Sequence, residues 1–157
     1  MTALTTHLGD DQTLADVDGQ QHVIPLGVVN LSRTELVSDP PRPEELTNAI
    51  GLVTDYLDDM IREVPAAGEP DHVTIVGDPA IAIAAIEVGD TPSLPLTLSR
   101  AAVEEVFRTV ATESSAERAL NPGLPADLVD TIVAACCIVV AIMRYLHLDA
   151  VEFGGPT

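Results

Sequence analysis

The stretch with the clearest potential for chemistry is the run from His72 to Ile86, HVTIVGDPAIAIAAI. Its apolar start predicts a buried strand, Gly77 permits a tight turn, and Asp78 and Pro79 suit the cap and the first position of a helix. A strand that passes directly into a helix N-terminus forms a ready anion-binding site in many α/β folds. The plainer alternative is an ordinary strand and helix with an aspartate cap, and the local residues alone favour it.

Phosphoryl transfer needs donors or a metal ion to hold the transferring oxygens, together with a positioned base. Asp55, Asp58 and Asp59 lie on a predicted amphipathic helix, where a solvated face is the usual role of carboxylates. No pair among the four histidines has metal-ligand spacing and no cysteine accompanies them, so we expect no metal site. Ser114-Ser115 is not part of a Gly-x-Ser-x-Gly pattern, which argues against a nucleophilic hydrolase.

The charge of the chain excludes several classes of partner. Its 157 residues carry a formal net charge of −18, and all seven basic residues are arginines. A chain this acidic repels nucleic acid, polyphosphate and acidic membranes. We therefore expect none of these three as a partner.

The two cysteines, Cys136 and Cys137, are adjacent and lie in the uncharged run from Thr131 to Met143. This position predicts reduced core thiols and excludes a disulfide framework. The run falls short of the about 20 apolar residues that a bilayer-spanning helix needs, so it predicts a buried central helix. Residues Met1 to Asp11 lack the basic start and apolar stretch of a signal peptide, and we expect a cytoplasmic protein.

Turn residues, caps and periodicity predict the remaining elements. Asp18-Gly19 predicts a hairpin between Leu14–Val17 and Gln20–Ile24, with strand pairing resumed from Leu26 to Leu31. The residues from Met1 to Thr13 have no clear period and form either a frayed terminus or the remnant of a first strand. The predicted helices run from Pro43 to about Val64, from Pro79 to Gly89, from a cap at Ser99, from a cap at Ser114, and from Pro125 to about Leu146.

A last predicted strand, Ala150 to Phe153, lies beside the strand at Val73. The order of elements predicts a single α/β domain over residues 1–157, with a mixed sheet covered by helices and an inserted helical segment.

A series of short segments follows in a fixed order along most of the chain: Ile24 to Ser32, Ser38-Asp39-Pro40-Pro41 with Glu45-Leu46, Val73 to Gly89, Leu98-Ser99 with Val103-Glu104, Glu117-Arg118, and Pro122-Gly123-Leu124-Pro125 leading to Asp130-x-Ile132. In the order and spacing of these segments the chain resembles the C-terminal half of the exopolyphosphatase and guanosine pentaphosphate phosphohydrolase (Ppx/GppA) family. The resemblance implies a single actin-like, ribonuclease-H-like lobe, the second of the two that surround the family's cleft.

The departures from the family pattern concern its phosphate-binding motifs. These residues contain no counterpart of the first lobe, which carries a glycine-rich phosphate loop and the catalytic carboxylate. The glycine-rich strand that opens the second lobe is also absent, because Asp10-Asp11-Gln12-Thr13 precedes Leu14. Where the family has Gly-Thr and further threonines facing phosphates, this chain has Gly77-Asp78-Pro79, a relict phosphate loop whose carboxylate repels phosphate.

The resemblance and its departures predict a non-catalytic Ppx/GppA-like protein, with no catalytic residues, that acts as an interaction or regulatory module. One alternative is part of a split exopolyphosphatase or guanosine pentaphosphate phosphohydrolase, in which Mg²⁺ binds only when a partner lobe completes the site. The other is a binder of a small neutral or cationic ligand, or of a divalent ion, in the relict cleft. No cofactor is expected for the chain by itself.

The predicted partner is a second copy of the chain or another protein. A lobe without its first strand should expose a sheet edge and the apolar side chains of Leu26, Val28 and Ile83. Proteins seldom leave such a surface uncovered, so we expect a homodimer or a protein complex.

Overall fold

The computed structural model describes residues 1–154 and contains one six-stranded sheet with six α-helices. The strands are β1 (Ala3–Leu8), β2 (Thr13–Val17), β3 (Gln20–Ile24), β4 (His72–Val76), β5 (Leu96–Ser99) and β6 (Ala150–Phe153). The helices are α1 (Val28–Glu35), α2 (Pro43–Glu63), α3 (Asp78–Val88), α4 (Arg100–Thr112), α5 (Ser115–Arg118) and α6 (Ile132–Tyr145). Short 3₁₀ turns occupy Pro65–Gly68 and Ala126–Leu128.

The strand order in the sheet is β3-β2-β1-β4-β6-β5. Strands β1, β4 and β6 are parallel, whereas β2, β3 and β5 pair antiparallel with their neighbours. β1 lies at the centre, where Leu4 pairs with Val17 on one side and with Val73 on the other. The predicted absence of a first strand is therefore wrong: the strand is present, and only the family's glycine-rich motif is absent from it.

The predicted hairpin is confirmed, with β2 and β3 paired in register from Thr13 opposite Ile24 to Val17 opposite Gln20. Asp18 and Gly19 have φ angles of 53° and 91°, which are the left-handed conformations that a two-residue turn between twisted strands requires. The Gly19 amide also donates to the Asp16 carboxylate at 2.8 Å.

The predicted pairing from Leu26 to Leu31 is wrong, because α1 begins at Val28. Gly27 is its N-cap, and the Gly27 amide donates to the Asn30 side chain at 2.7 Å. The Asn30 side chain also donates to the Asp11 carbonyl at 2.9 Å, and such contacts with the β1–β2 loop override the strand preference of the valines at the start of α1.

Two further elements differ from expectation. The long helix begins at Ile132, not at Pro125, because Ala126–Leu128 forms a separate 3₁₀ turn. β5 was not predicted; it is a four-residue edge strand paired antiparallel with β6, too short to show a period. The predicted caps at Ser99 and Ser114 are confirmed, since their hydroxyl oxygens accept the Ala102 and Glu117 amides.

Helix α6 is the centre of the core, packed between α2 and α4 and in contact with α1 and α3. All twelve residues from Ile132 to Met143 are buried, including both cysteines. Burial raises the pKa of Cys137 to about 12 and raises that of Cys136 further. No helix within residues 1–154 is long and apolar enough to cross a membrane.

The side chains predicted to form an exposed apolar patch are buried instead. Leu26 is 8%, Val28 1% and Ile83 0% exposed. β1 is in the sheet and these side chains are in the core. The prediction that a missing first strand leaves an apolar patch exposed, and that this patch drives self-association, is therefore wrong.

The two faces of the sheet differ sharply in exposure. One face carries Leu4, Ile75, Phe153 and the other buried strand residues, which pack beneath the helices. The opposite face, here called the open face, is exposed or half-buried except at Val76, so no helix within the described chain covers it. Its side chains are Ala3, Thr5, His7, Leu14, Asp16, Gln21, Val23, His72, Thr74, Val76, Thr97, Ser99, Ala150 and Glu152.

A polar row crosses the open face, one residue from each strand. The register places its members side by side in the order Gln21, Asp16, Thr5, Thr74, Glu152 and Thr97. Glu152 accepts hydrogen bonds from Thr74 at 3.2 Å and pairs with His72 at 2.8 Å.

Candidate functional site

A cavity of about 550 Å³ opens at the carboxyl ends of the parallel strands β1 and β4. This is the edge at which open α/β sheets place their ligands. The cavity is lined by His7, Leu8, Asp10, Val29, Gly77, Asp78, Pro79, Asp127, Leu128 and Thr131. The three residues predicted to form a relict phosphate loop, Gly77, Asp78 and Pro79, therefore all reach one cavity.

The turn between β4 and α3 forms the first wall of the cavity. Gly77 has a φ of 112°, and a Cβ placed there would lie 3.0 Å from the Leu8 carbonyl oxygen. Only glycine accommodates this backbone without strain. Asp78 was predicted to be the N-cap of this helix. The N-cap of α3 is instead Gly77, and Asp78 is the first residue of the helix.

The loop between β1 and β2 forms the second wall and fills the N-terminus of α1. The Val28 amide donates to the Gly9 carbonyl at 2.9 Å, and the Val29 amide donates to the Asp10 carbonyl at 2.8 Å. A Cβ on Gly27 would collide with both of these carbonyls. The helix-terminal amides that would otherwise be available to an anion are thus satisfied by the protein's own backbone.

The 3₁₀ turn and the start of α6 form the third wall, with Asp127, Leu128 and Thr131. The Thr131 hydroxyl is shielded from solvent and makes no hydrogen bond within the described part of the chain.

Arg118 holds this third wall in place from behind. Its side chain is 5% exposed, and its guanidinium donates to the Val129 carbonyl at 2.7 Å and to the Asp39 carboxylate at 3.2 Å. Ser115 adds two contacts, from its amide to Asp39 at 2.8 Å and from its hydroxyl to Asp130 at 3.0 Å. A buried arginine with several acceptors fixes the segment that carries Asp127.

The electrostatics of the cavity are acidic. Three carboxylates, those of Asp10, Asp78 and Asp127, come from three different elements, and the described lining contains no arginine. Each carboxylate disfavours an anion in the cavity. Within residues 1–154 no three His, Cys, Asp or Glu side chains converge to hold a metal ion.

His7, Asp10, Asp127 and Thr131 were not predicted as cavity residues. The signal for the first two was the alternating run from Leu4 to Leu8 followed by Gly9-Asp10, which has the same strand-glycine-aspartate order as β4 and Gly77-Asp78. Asp127 carried no comparable signal, because its position depends on the distant anchor at Arg118.

Comparison with known proteins identifies the lobe. The model described as the Ppx/GppA phosphatase family matches residues 20–155. The chain belongs to the Ppx/GppA phosphatase family. No curated protein is similar enough in sequence to match it.

Solved structures of Ppx/GppA family members share the fold. The type II variant of the Aquifex aeolicus Ppx/GppA phosphatase is 18% identical with a TM-score of 0.89, over 98% of this chain and 53% of that one. An exopolyphosphatase-like protein is 18% identical with a TM-score of 0.86, over 99% and 54%. An exopolyphosphatase from Cytophaga hutchinsonii is 14% identical with a TM-score of 0.80, over 98% and 53%.

These likenesses confirm the predicted fold class, a single actin-like Ppx/GppA lobe built on a mixed sheet. The chain spans about half the length of the solved structures that it matches.

Proposed function

We propose that this Ppx/GppA lobe is non-catalytic and serves as an interaction or regulatory module. The observation that carries the proposal is the lining of the cavity at β1 and β4. Asp10, Asp78 and Asp127 surround the place where a phosphate would have to lie, and the cavity lining offers no arginine to offset them.

The backbone around the cavity supports the same conclusion. Phosphoryl transfer depends on donors aimed at the transferring oxygens. The α1 amides already donate to the carbonyls of Gly9 and Asp10. A second helix N-terminus at the cavity, that of α3, begins with the Asp78 carboxylate, whose charge competes with an anion for the positive end of the helix.

Anion titration tests the proposal directly. We expect no binding of inorganic phosphate or tripolyphosphate by the wild-type chain in isothermal titration calorimetry. The triple variant Asp10→Asn, Asp78→Asn, Asp127→Asn removes the three charges while keeping side-chain size, and it should gain measurable phosphate affinity. A matched control neutralises three exposed carboxylates of α2, with Asp55→Asn, Asp59→Asn and Glu63→Gln, and should gain none.

A hydrolysis assay gives the second readout. The wild-type chain should release no phosphate from long-chain polyphosphate or guanosine pentaphosphate, with or without Mg²⁺. Phosphate release that is lost in Asp78→Asn, or phosphate binding by the wild type that this variant abolishes, would show that the cavity is a working phosphate site.

A further inference from the structure

The open face of the sheet has no covering layer within residues 1–154. Parallel strands are normally covered on both faces, and here β1, β4 and β6 carry helices on only one. The side chains of His7, Gln21 and Val23 on the other side are exposed. We infer that the open face is a docking surface for a second copy of this chain, which packs its own open face against it.

The distribution of charge favours this face over the rest of the surface. The chain has 25 Asp and Glu residues, and only Asp16 and Glu152 project from strand positions of the open face. Two copies that each carry a net charge of −18 repel one another, and a face with only these two strand carboxylates limits the repulsion at the contact itself. The open face also carries two of the four histidines, His7 and His72.

The positions of these four side chains favour one packing angle. Asp16 and Glu152 lie on the polar row, on strands to either side of the β1–β4 pair at the sheet centre. His7 lies two residues beyond the row on β1, and His72 two residues before it on β4. The Cα atoms of all four are thus at similar distances from the centre of the face, with the acidic residues along the row and the histidines along the strands. Within one copy, Glu152 already pairs with His72 at 2.8 Å.

In orthogonal packing about a two-fold axis, the strands of the two copies cross at about 90°. The polar row of one copy then runs along the strand direction of the second copy. This packing brings Glu152 of one copy opposite a histidine of the second copy, and Asp16 opposite the other histidine. An aligned packing would instead set carboxylates near carboxylates. Orthogonal sheet packing is one of the two common arrangements, and here it keeps the carboxylates of the two copies apart.

The area of the open face limits how strongly two copies can bind. Six strands at about 4.8 Å spacing and about 3.3 Å per residue present roughly 450 Å² per copy. The two faces together come to roughly 900 Å², in the range of weak, reversible complexes and below that of stable ones. This inference rests on the proposed function: a second copy of the chain is the partner that the interaction module binds.

Sedimentation velocity over a hundredfold concentration range tests the pair. The wild type should pass from monomer to dimer within the range. Thr74→Arg places a long cation near the centre of the face, where it can pair with Glu152 and so preserve the fold, and it should raise the dissociation constant about tenfold or more. Thr109→Arg makes the same change on the exposed surface of α4 and should leave the dissociation constant unchanged.

A charge exchange tests the angle. His7→Glu sets two carboxylates opposite one another and should weaken the dimer. Combined with Asp16→Lys or with Glu152→Lys, one of the two double variants should restore it, and that variant identifies the carboxylate that faces residue 7. A wild type that stays monomeric throughout, or a dimer weakened by Thr109→Arg and not by Thr74→Arg, would overturn the inference. Either result leaves the phosphate titrations unaffected, so the failure of this inference is distinguishable from failure of the proposed function.

Discussion

Gly77 and Asp78 make adjacent but separate contributions to the cavity. Gly77 is required by the backbone, because its φ of 112° and its approach to the Leu8 carbonyl leave no place for a side chain. Asp78 is free of such a constraint and contributes charge alone. The turn could therefore keep its shape while its chemistry changed.

Gly77→Ala should destabilise the lobe by about 1 to 3 kcal/mol, because alanine at this φ is strained and its Cβ meets the β1 backbone. Gly51→Ala is the matched control. Gly51 lies inside α2, and a Cβ there has no atom within 4 Å, so the same substitution should stabilise by about 0.5 to 1 kcal/mol. Urea unfolding followed by circular dichroism measures both, and equal effects would contradict the constraint at Gly77.

At the scale of elements, local signals predicted those helices and strands that carry their own caps or turns. The hairpin, α2, α3 and the caps of α4 and α5 followed from turn residues, prolines and hydroxyls within a few positions. α1 and the start of α6 did not, because distant groups decide them. The Gly9 and Asp10 carbonyls cap α1, and Arg118 holds the segment before α6.

The cavity residues also divide into those that a local pattern predicts and those that distant contacts bring into place. Gly77, Asp78 and Pro79 were predicted from a single strand–turn–helix run. Asp10 and Asp127 join them only through the pairing of β1 with β4 and the anchor at Arg118, which no local pattern encodes.

The contact between α4 and α6 gives a pH-dependent prediction. Arg144 donates two hydrogen bonds to Glu104, at 2.9 and 2.6 Å, and these bonds hold the pKa of Glu104 below its usual value. A carboxyl with a lowered folded pKa contributes stability that is complete above its unfolded pKa and is lost as the pH falls through the folded pKa.

Glu104→Gln should therefore cost about 1 to 2 kcal/mol at pH 7, and its difference from the wild type should shrink below about pH 4.5. Glu105→Gln is the control, because Glu105 is exposed and pairs only with Arg108 on its own helix. Its effect should stay within about 0.5 kcal/mol. Urea unfolding over a pH series separates the two, and a Glu104 difference that grows on acidification would reverse the assigned sign.

At the scale of the whole molecule, acidity is the dominant surface property. A net charge of −18 on 157 residues opposes compaction by self-repulsion. This net charge already counts all seven arginines, five of which form ion pairs with carboxylates.

Added NaCl should stabilise the lobe, because it screens this repulsion. We expect a gain on the order of 1 kcal/mol between low and physiological ionic strength, which for a chain of this size is about 2 to 4 °C in Tm. Calorimetry at neutral pH measures the shift. Near the isoelectric point of about 4.1 the same salt step should have little effect, and an equal gain there would point to a cause other than net charge.

The origin of the three cavity carboxylates on three separate elements also bears on evolutionary reversibility. A single substitution at Asp10, Asp78 or Asp127 leaves two negative charges around the cavity, so no one mutation recovers an environment that selection for phosphate binding could favour. Reversal requires several changes whose benefit emerges only in combination, which is strong epistasis. If the lobe has the non-catalytic role that we propose, a lineage that acquires this lining is committed to functions other than phosphate chemistry, and its descendants should diversify along that branch.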